Sequence, residues 1–379
     1  MHLVDITMFY AAEGGGVSTY LNAKSQWLAQ HGLMRHTILS PNVDDGGDIP
    51  SLVRVPGVAL PGINGYRMPV SVAALARRLK ASEPDLVEVG DAGHSAWAAL
   101  RLRERHGVPA IAFYHSDLPR LVENRFGQAA RQATCKYLAH LYREFDLVLA
   151  PSKLMAGQLD AMGVKGVLHQ PLGIDSEVFR PERRDPGLRA RLGIAQDAHL
   201  LVYAGRFTPE KKLSHLVDAV RKLGAPYHLL MVGGGGEAPP QDERITVLPF
   251  QRDQRDLACL LASCDVLVHP GDCETFGLIV LEAMACGLPV VATSGGGVAE
   301  LVDERSGILA QPNCTDSLAG AIEAIYASDM AALGEHARHK AREYFDWNQI
   351  FPQIMRRYHS LLGAGQAAER VLERICVTD

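Results

Sequence analysis

Residues 265–294 read DVLVHPGDCETFGLIVLEAMACGLPVVATS. The run opens on a short apolar, β-branched stretch and closes on another, 289–294. Between them, GLIVLEAMAC has the composition of a buried helix. Thr275 is placed to cap a helix that begins near Phe276. Gly287 is placed to end it, and Pro289 bars its continuation. Strand, helix and strand in sequence make a βαβ unit, and a chain of such units makes a parallel sheet. Glu282 does not fit this apolar pattern, because it is the only charge in the helix. Burying an unpaired carboxylate costs several kcal/mol, so Glu282 needs hydrogen-bond donors. Glu274 stands on the loop just ahead, close enough to reach a ligand lying over the helix N-terminus. The N–H groups of Phe276 and Gly277 are expected to face a phosphate there.

The same alternation extends outward in both directions. The C-terminal half offers strands at 200–205, 227–233, 245–250, 265–270 and 289–294, with helices Leu213–Leu223 and Gln254–Ala262 between them. The N-terminal half offers strands at 3–7, 36–40, 85–89, 110–114 and 146–150, with helices Val17–His31 and Val70–Ala81. A chain of 379 residues exceeds a typical single core. Two tandem series therefore predict an α/β protein of two Rossmann-like parallel-sheet domains facing across a cleft. The segment QPLGIDSEVFRPERRDPG (170–187) lacks periodicity and marks the boundary. The expected domains are 1–172 and 173–345, followed by a helix and tail over 346–379. In parallel α/β sheets, ligands sit beyond the carboxyl ends of the strands, so the loops after the strands matter most.

Composition limits the classes open to such a chain. A formal net charge of −5 and 47% hydrophobic residues suit a soluble protein that binds no nucleic acid. The stretch 101–143 is the most basic, with Arg101, Arg103, Arg105, Arg120, Arg125, Arg131, Lys136 and Arg143 against three acids. Solvated helix faces account for such a run, as does a patch that meets anionic lipid or an anionic acceptor. Seven cysteines without a C-x-x-C pair suggest reduced thiols in a cytoplasmic protein. The N-terminus carries no secretory leader pattern, and no apolar run is long enough to span a bilayer. Membrane contact is expected to be peripheral, at the inner face of the cell membrane.

Four loops carry chemistry. EGGGVSTYL (13–21) joins the first strand to the first helix, and its glycines let backbone N–H groups approach an anion. A tight turn with no ligand explains it too. FYHSDLPR (113–120) places His115 directly after an apolar strand, with Ser116 and Asp117 beside it. YAGRFTPEKKL (203–213) puts Arg206 after a strand and Lys211 and Lys212 at the opening of the next helix. Lysines there oppose the macrodipole and serve stability poorly, so with Arg206 they suit a diphosphate. The fourth is the loop of Glu274. A fifth run, GGGGEAPP (233–240), leads into prolines and not a helix, and reads as a loop.

Together these residues resemble glycosyltransferase family 4, the retaining nucleotide-sugar transferases of the GT-B fold. The resemblance covers most of the chain. It is most specific at Glu274 and Glu282 in ETFGLIVLEAMACGLPVVAT, which looks like the family's paired-glutamate motif. It continues in GRFTPEKK, SGGGVAELV (294–302), GIDSEVFRP (173–181) and HSDLP (115–119). The resemblance implies that Arg206 and Lys211 bind the donor diphosphate and stabilise the leaving nucleotide. It implies that Glu282 holds the ribose hydroxyls and that Glu274 contacts the donor sugar, with Thr275, Phe276 and Gly277 near sugar and phosphate. His115 would contact the transferred sugar, and Gly15 and Gly16 would meet the phosphates. The first domain would then bind the acceptor, the second would bind the donor, and the helix near Trp347 would cross back onto the first. Two positions depart from the pattern. Lys212 replaces the glycine that usually follows the lysine, and Gly271 stands where a serine is common.

The activity implied is transfer of a hexose from a GDP- or UDP-sugar to a hydroxyl of a lipid or glycan acceptor, with no cofactor and no metal. GDP-mannose is favoured because YHSDLP resembles the loop of α-mannosyltransferases. A non-catalytic nucleotide-sugar-binding protein of the same fold is the alternative. A third reading, an NAD-dependent dehydrogenase, lacks an acidic residue about 20 positions after a G-x-G-x-x-G turn.

Overall fold

The β-branched runs pair edge to edge into two separate parallel sheets. A computed structural model describes residues 1–10, 15–43, 51–59, 66–236 and 242–363. The chain divides into two compact units, Met1–Pro171 with Trp347–Asp379, and Leu172–Asp346.

In the first unit the chain runs through β1 (His2–Ile6), α1 (Gly16–His31), β2 (Arg35–Ser40) and β3 (Leu52–Arg54). A small antiparallel hairpin of β4 (Gly57–Ala59) and β5 (Arg67–Pro69) follows, then α2 (Val72–Ala81). The chain continues as β6 (Leu86–Val89), α3 (His94–His106), β7 (Ala110–Phe113), α4 (Leu118–Phe126), α5 (Gln128–Tyr142), β8 (Leu147–Ala150), α6 (Lys153–Ala161) and β9 (Leu168–His169). The sheet order is β3-β2-β1-β6-β7-β8-β9. Its direction of winding reverses between β1 and β6, which makes that pair the switch point where ligands gather in such sheets. Helix α2 starts two residues inside the expected bound, because Ser71 is its cap and accepts from the Ala74 amide.

The second unit begins with the short α7 (Leu188–Arg191) and continues as β10 (His199–Arg206), α8 (Leu213–Leu223), β11 (Tyr227–Gly234) and β12 (Ile245–Leu248). It then runs through α9 (Gln254–Ala262), β13 (Val266–His269), α10 (Leu278–Ala285), β14 (Val290–Thr293), β15 (Gly307–Ala310), α11 (Thr315–Tyr326) and α12 (Met330–Phe345). The sheet order β12-β11-β10-β13-β14-β15 puts its switch point between β10 and β13. The strands read from the sequence agree with these to within a few residues, but β3, β9, β15 and the hairpin had not been expected. All are two to four residues long and too short to show a period.

The last described helix, α13 (Trp347–Leu361), contains Pro352 and packs in the first unit against α1. Trp27 Nε1 donates to Asn348 Oδ1 at 3.0 Å. The Trp347 and Phe351 rings stack at 4.6 Å, with Trp27 at 5.6 Å from Phe351. The tail expected beyond this helix lies outside the described residues.

Candidate functional site

In the second unit, the functional residues of the sequence reading lie on the segments that leave β10 and β13, the two strands at the switch point. Strand β10 ends at Arg206, whose side chain is exposed and has no partner among the described residues. The next residues do not enter a helix directly. Pro209–Lys211 form one 3₁₀ turn, and Lys212 takes a left-handed conformation, φ 55° and ψ 35°, before α8 starts at Leu213. The expectation that both lysines open the helix is therefore corrected. Lys211 closes the turn before it, and Lys212 occupies a conformation that suits glycine and costs a lysine about 1 kcal/mol. This explains why a glycine is usual there.

The turn carries Lys211 to Glu274. Lys211 Nζ donates to Glu274 Oε1, and His269 Nε2 donates to the same oxygen at 3.2 Å. Both members of the Lys211–Glu274 pair are mostly buried, 16% and 23% exposed. Burial alone would raise the Glu274 carboxyl, but the Lys211 charge and the His269 hydrogen bond reverse this and hold it well below the usual carboxylate range. Gly271 makes the approach of the two loops close. A Cβ there would lie 3.1 Å from His269 Cε1 and 3.5 Å from Lys211 Cα.

The Glu274 backbone is clamped from behind by SGGG (294–297). Gly297 N–H donates to the Glu274 carbonyl at 2.6 Å. Gly296 has φ 70°, and a Cβ on it would lie 2.9 Å from that same carbonyl oxygen. The run GGGGEAPP works in a similar way where it is described. A Cβ on Gly233 or Gly236 would overlap the carbonyls of Gly205 or Phe207, at 1.8 and 1.5 Å. These glycines serve backbone packing, and residues 237–240 lie outside the described residues.

Helix α10 starts later than expected. Gly277, at φ 107°, is its N-cap, no side chain caps it, and the helix begins at Leu278. A Cβ on Gly277 would sit 2.6 Å from Val298 Cγ2, so only glycine fits. Thr275 is thus not the cap, and Phe276 lies before the helix with its ring buried 6.2 Å from that of Phe345. The first-turn amides begin at Leu278 and not at Phe276 and Gly277. Within the helix, Glu282 is 7% exposed, and its carboxylate has no hydrogen-bond partner among the described residues. Burial pushes its carboxyl up to about 7.

In the first unit, Gly15 (φ 134°) is the N-cap of α1 and Gly16 its first residue. His115 follows β7 directly. Its ring stacks on Phe113 at 4.3 Å and lies 5.4 Å from that of Tyr20, and a Cβ on Gly90 would touch it at 3.4 Å. Burial, helped by the charge of Lys24 and opposed by Asp5, lowers its pKa to about 3, so the imidazole is neutral at physiological pH. Asp117, grouped with it in the sequence reading, caps α4 and accepts from the Arg120 amide at 3.2 Å.

Two features escaped the sequence reading. His269 is one, although it ends an apolar strand as His115 nearly does. The other is a buried ionic cluster in the first unit. Asp5 and Glu88 face each other in register on β1 and β6, and Lys24 of α1 reaches both at 2.8 Å. His36 pairs with Asp5, and Tyr358 of α13 donates to Glu88. The signal was a charge inside each of two apolar runs, Asp5 in LVDI (3–6) and Glu88 in LVEV (86–89). A narrow gap beside the cluster is lined by Asp5, Thr7, Val17, Glu88, Gly90 and His115.

Comparison with known proteins agrees with these observations. The profile for Glycosyltransferase Family 4 matches residues 14–178, and that for Glycosyl transferases group 1 matches residues 198–328. A GDP-mannose-dependent alpha-mannosyltransferase of Mycobacterium tuberculosis is 32% identical over 260 residues, covering 68% of each chain. A GDP-mannose-dependent alpha-(1-6)-phosphatidylinositol dimannoside mannosyltransferase of the same species is 28% identical over 94% of this chain and 95% of its own. Among solved structures, the sucrose-phosphate synthase of Thermosynechococcus elongatus superposes with a TM-score of 0.80 at 23% identity, covering 96% of this chain and all of the other. HepE of Anabaena, solved with UDP, superposes with a TM-score of 0.75 at 21% identity, over 95% of this chain and all of the other. At such identities the structural likeness shows the fold, which is GT-B.

Proposed function

Since the chain belongs to glycosyltransferase family 4, and is accordingly a glycosyltransferase, we propose that it transfers mannose from GDP-mannose to a hydroxyl of a lipid or glycan acceptor, with retention and without a metal. The observation that carries the donor site is the Lys211–Glu274 pair, with a buried, unpartnered Glu282 in the helix that follows. A buried carboxylate with no donor among the described residues suits ribose hydroxyls, which supply them. The choice of GDP-mannose is supported by the relatives named above.

In this reading, negative charge grows on the β-phosphate as the nucleotide leaves. Arg206 and Lys211 meet that charge. The acceptor hydroxyl attacks from the face the nucleotide leaves, and its proton passes to the departing phosphate oxygen. Glu274 contacts the donor sugar, with Thr275, Phe276 and Gly277 near sugar and phosphate. Gly15 and Gly16 serve the phosphates and His115 the transferred sugar, as a neutral hydrogen-bonding group. Among the described residues no helix is long and apolar enough to cross a membrane. Contact with a lipid acceptor at the inner membrane face is assigned to α4 and α5, where Leu121 and Phe126 are exposed beside Arg125 and Arg131.

Calorimetry against GDP, UDP and ADP, then their sugars, tests this. Binding of GDP and GDP-mannose is expected. Binding of UDP alone would move the donor to a UDP-hexose, and binding of none would remove the donor site. Donor binding without nucleotide release in the presence of alkyl α-mannosides or phosphoinositides would favour a non-catalytic binder.

A further inference from the structure

Glu274 carries the donor-sugar role in the reading above, and its carboxylate is held at one oxygen only. Lys211 Nζ and His269 Nε2 both donate to Oε1. Oε2 has no partner among the described residues. The two donors differ in kind. Lys211 is a flexible side chain on a single 3₁₀ turn, and the same ammonium is assigned to the diphosphate. His269 is 2% exposed at the end of β13, packed against Gly271 and 6.4 Å from the Tyr203 ring. Its Nδ1 is buried with no hydrogen-bond partner among the described residues. The tautomer with its proton on Nε2 therefore leaves no buried N–H without an acceptor.

Lys211 cannot serve Glu274 and the diphosphate equally well. A lysine that turns toward a bound phosphate loosens its hold on Oε1, at the moment when the carboxylate must stay fixed. A misplacement of about 1 Å at a reacting centre can cost about 100-fold in rate. We propose that His269 is a positioning residue: it keeps Oε1 of Glu274 in place while Lys211 engages the donor diphosphate, so that Oε2 remains available to a sugar hydroxyl. The proposal rests on the donor-sugar role of Glu274.

A double-mutant cycle tests it, with affinities for GDP-mannose and GDP measured by calorimetry and with GDP-mannose turnover. His269→Phe keeps the ring and removes the donor. It is expected to weaken GDP-mannose relative to GDP and to lower turnover by about 10- to 100-fold, while GDP itself binds normally. In a Glu274→Gln background the same substitution is expected to add little. His269→Gln, which returns an N–H donor near the Nε2 position, is expected to recover most of the loss, and His269→Asn is not. Equal losses with and without Glu274, or loss of GDP and GDP-mannose binding together, would overturn the proposal. If His269→Phe does not fold, the Gln and Asn variants decide alone, and equal behaviour of the two overturns it. Failure of the functional reading looks different, because Glu274→Gln by itself would then leave GDP-mannose binding and turnover unchanged. If the protein binds UDP-glucose instead of GDP-mannose, the cycle is run with UDP-glucose and UDP.

Discussion

Lys211 and Glu274, 63 residues apart in the chain, are ion-paired between the loops that leave the two strands at the switch point of the second sheet. The pair joins a cation suited to a diphosphate with a carboxylate suited to a sugar. Lys211→Ala is expected to lower turnover by about 10²–10³-fold, the usual scale for removing one preorganised charge stabiliser. Arg206→Ala is expected to act in the same direction. Steady-state rates with GDP-mannose check both, and near-normal rates would remove these residues from the mechanism.

Glu282→Gln is expected to divide stability from binding. The folded-state pKa of Glu282, about 7, lies above its ordinary value of 4.5, so the folded protein holds this proton more tightly than the unfolded chain. Its ionisation therefore costs stability, increasingly from pH 4.5 and fully above pH 7. At pH 8 the glutamine variant is expected to be more stable, by up to about 3 kcal/mol from the size of the shift. It is also expected to bind nucleotide more weakly. Denaturant melts at pH 5 and pH 8 check the first part, and calorimetry checks the second.

The same titration makes nucleotide affinity depend on pH. Ribose hydroxyls favour the charged carboxylate and would lower its pKa in the complex. Affinity is expected to rise as pH rises through about 7, the folded-state value for Glu282, and then to level off. Proton release on binding, measured in buffers of different ionisation heat, is expected below that point. An affinity that is flat from pH 6 to 8 would count against the ribose role.

The fold was legible because its signals are repetitive. Alternating apolar strands and amphipathic helices located ten strands, and the glutamates stood out as charges in apolar surroundings. What escaped had no local mark. The Thr275 capping expectation failed because packing against Val298 requires glycine at 277, and Val298 comes later in the chain. His269 reads as an ordinary strand end until Glu274 is folded back onto it. Asp5 and Glu88 were visible as charges inside strands, but their meaning depends on Lys24 arriving from α1.

That cluster yields a stability prediction. Lys24 is fully buried between two carboxylates, and removing one partner of a buried ion pair costs about 3–5 kcal/mol. Lys24→Met is expected to destabilise the first unit by that amount. Adding Glu88→Gln is expected to restore part of it, since Asp5 keeps His36 as a partner. Thermal or denaturant unfolding of the two variants checks this, and a fully additive loss would contradict it.

The reaction proposed for this protein is retaining mannosyl transfer from GDP-mannose. NMR of GDP-mannose cleavage by the protein without acceptor, with water as the slow substitute, tests it most directly. The expected result is α-mannose as the first-formed anomer, appearing in step with GDP. First appearance of β-mannose, or an intact GDP-mannose beside cleaved UDP-glucose, would contradict it.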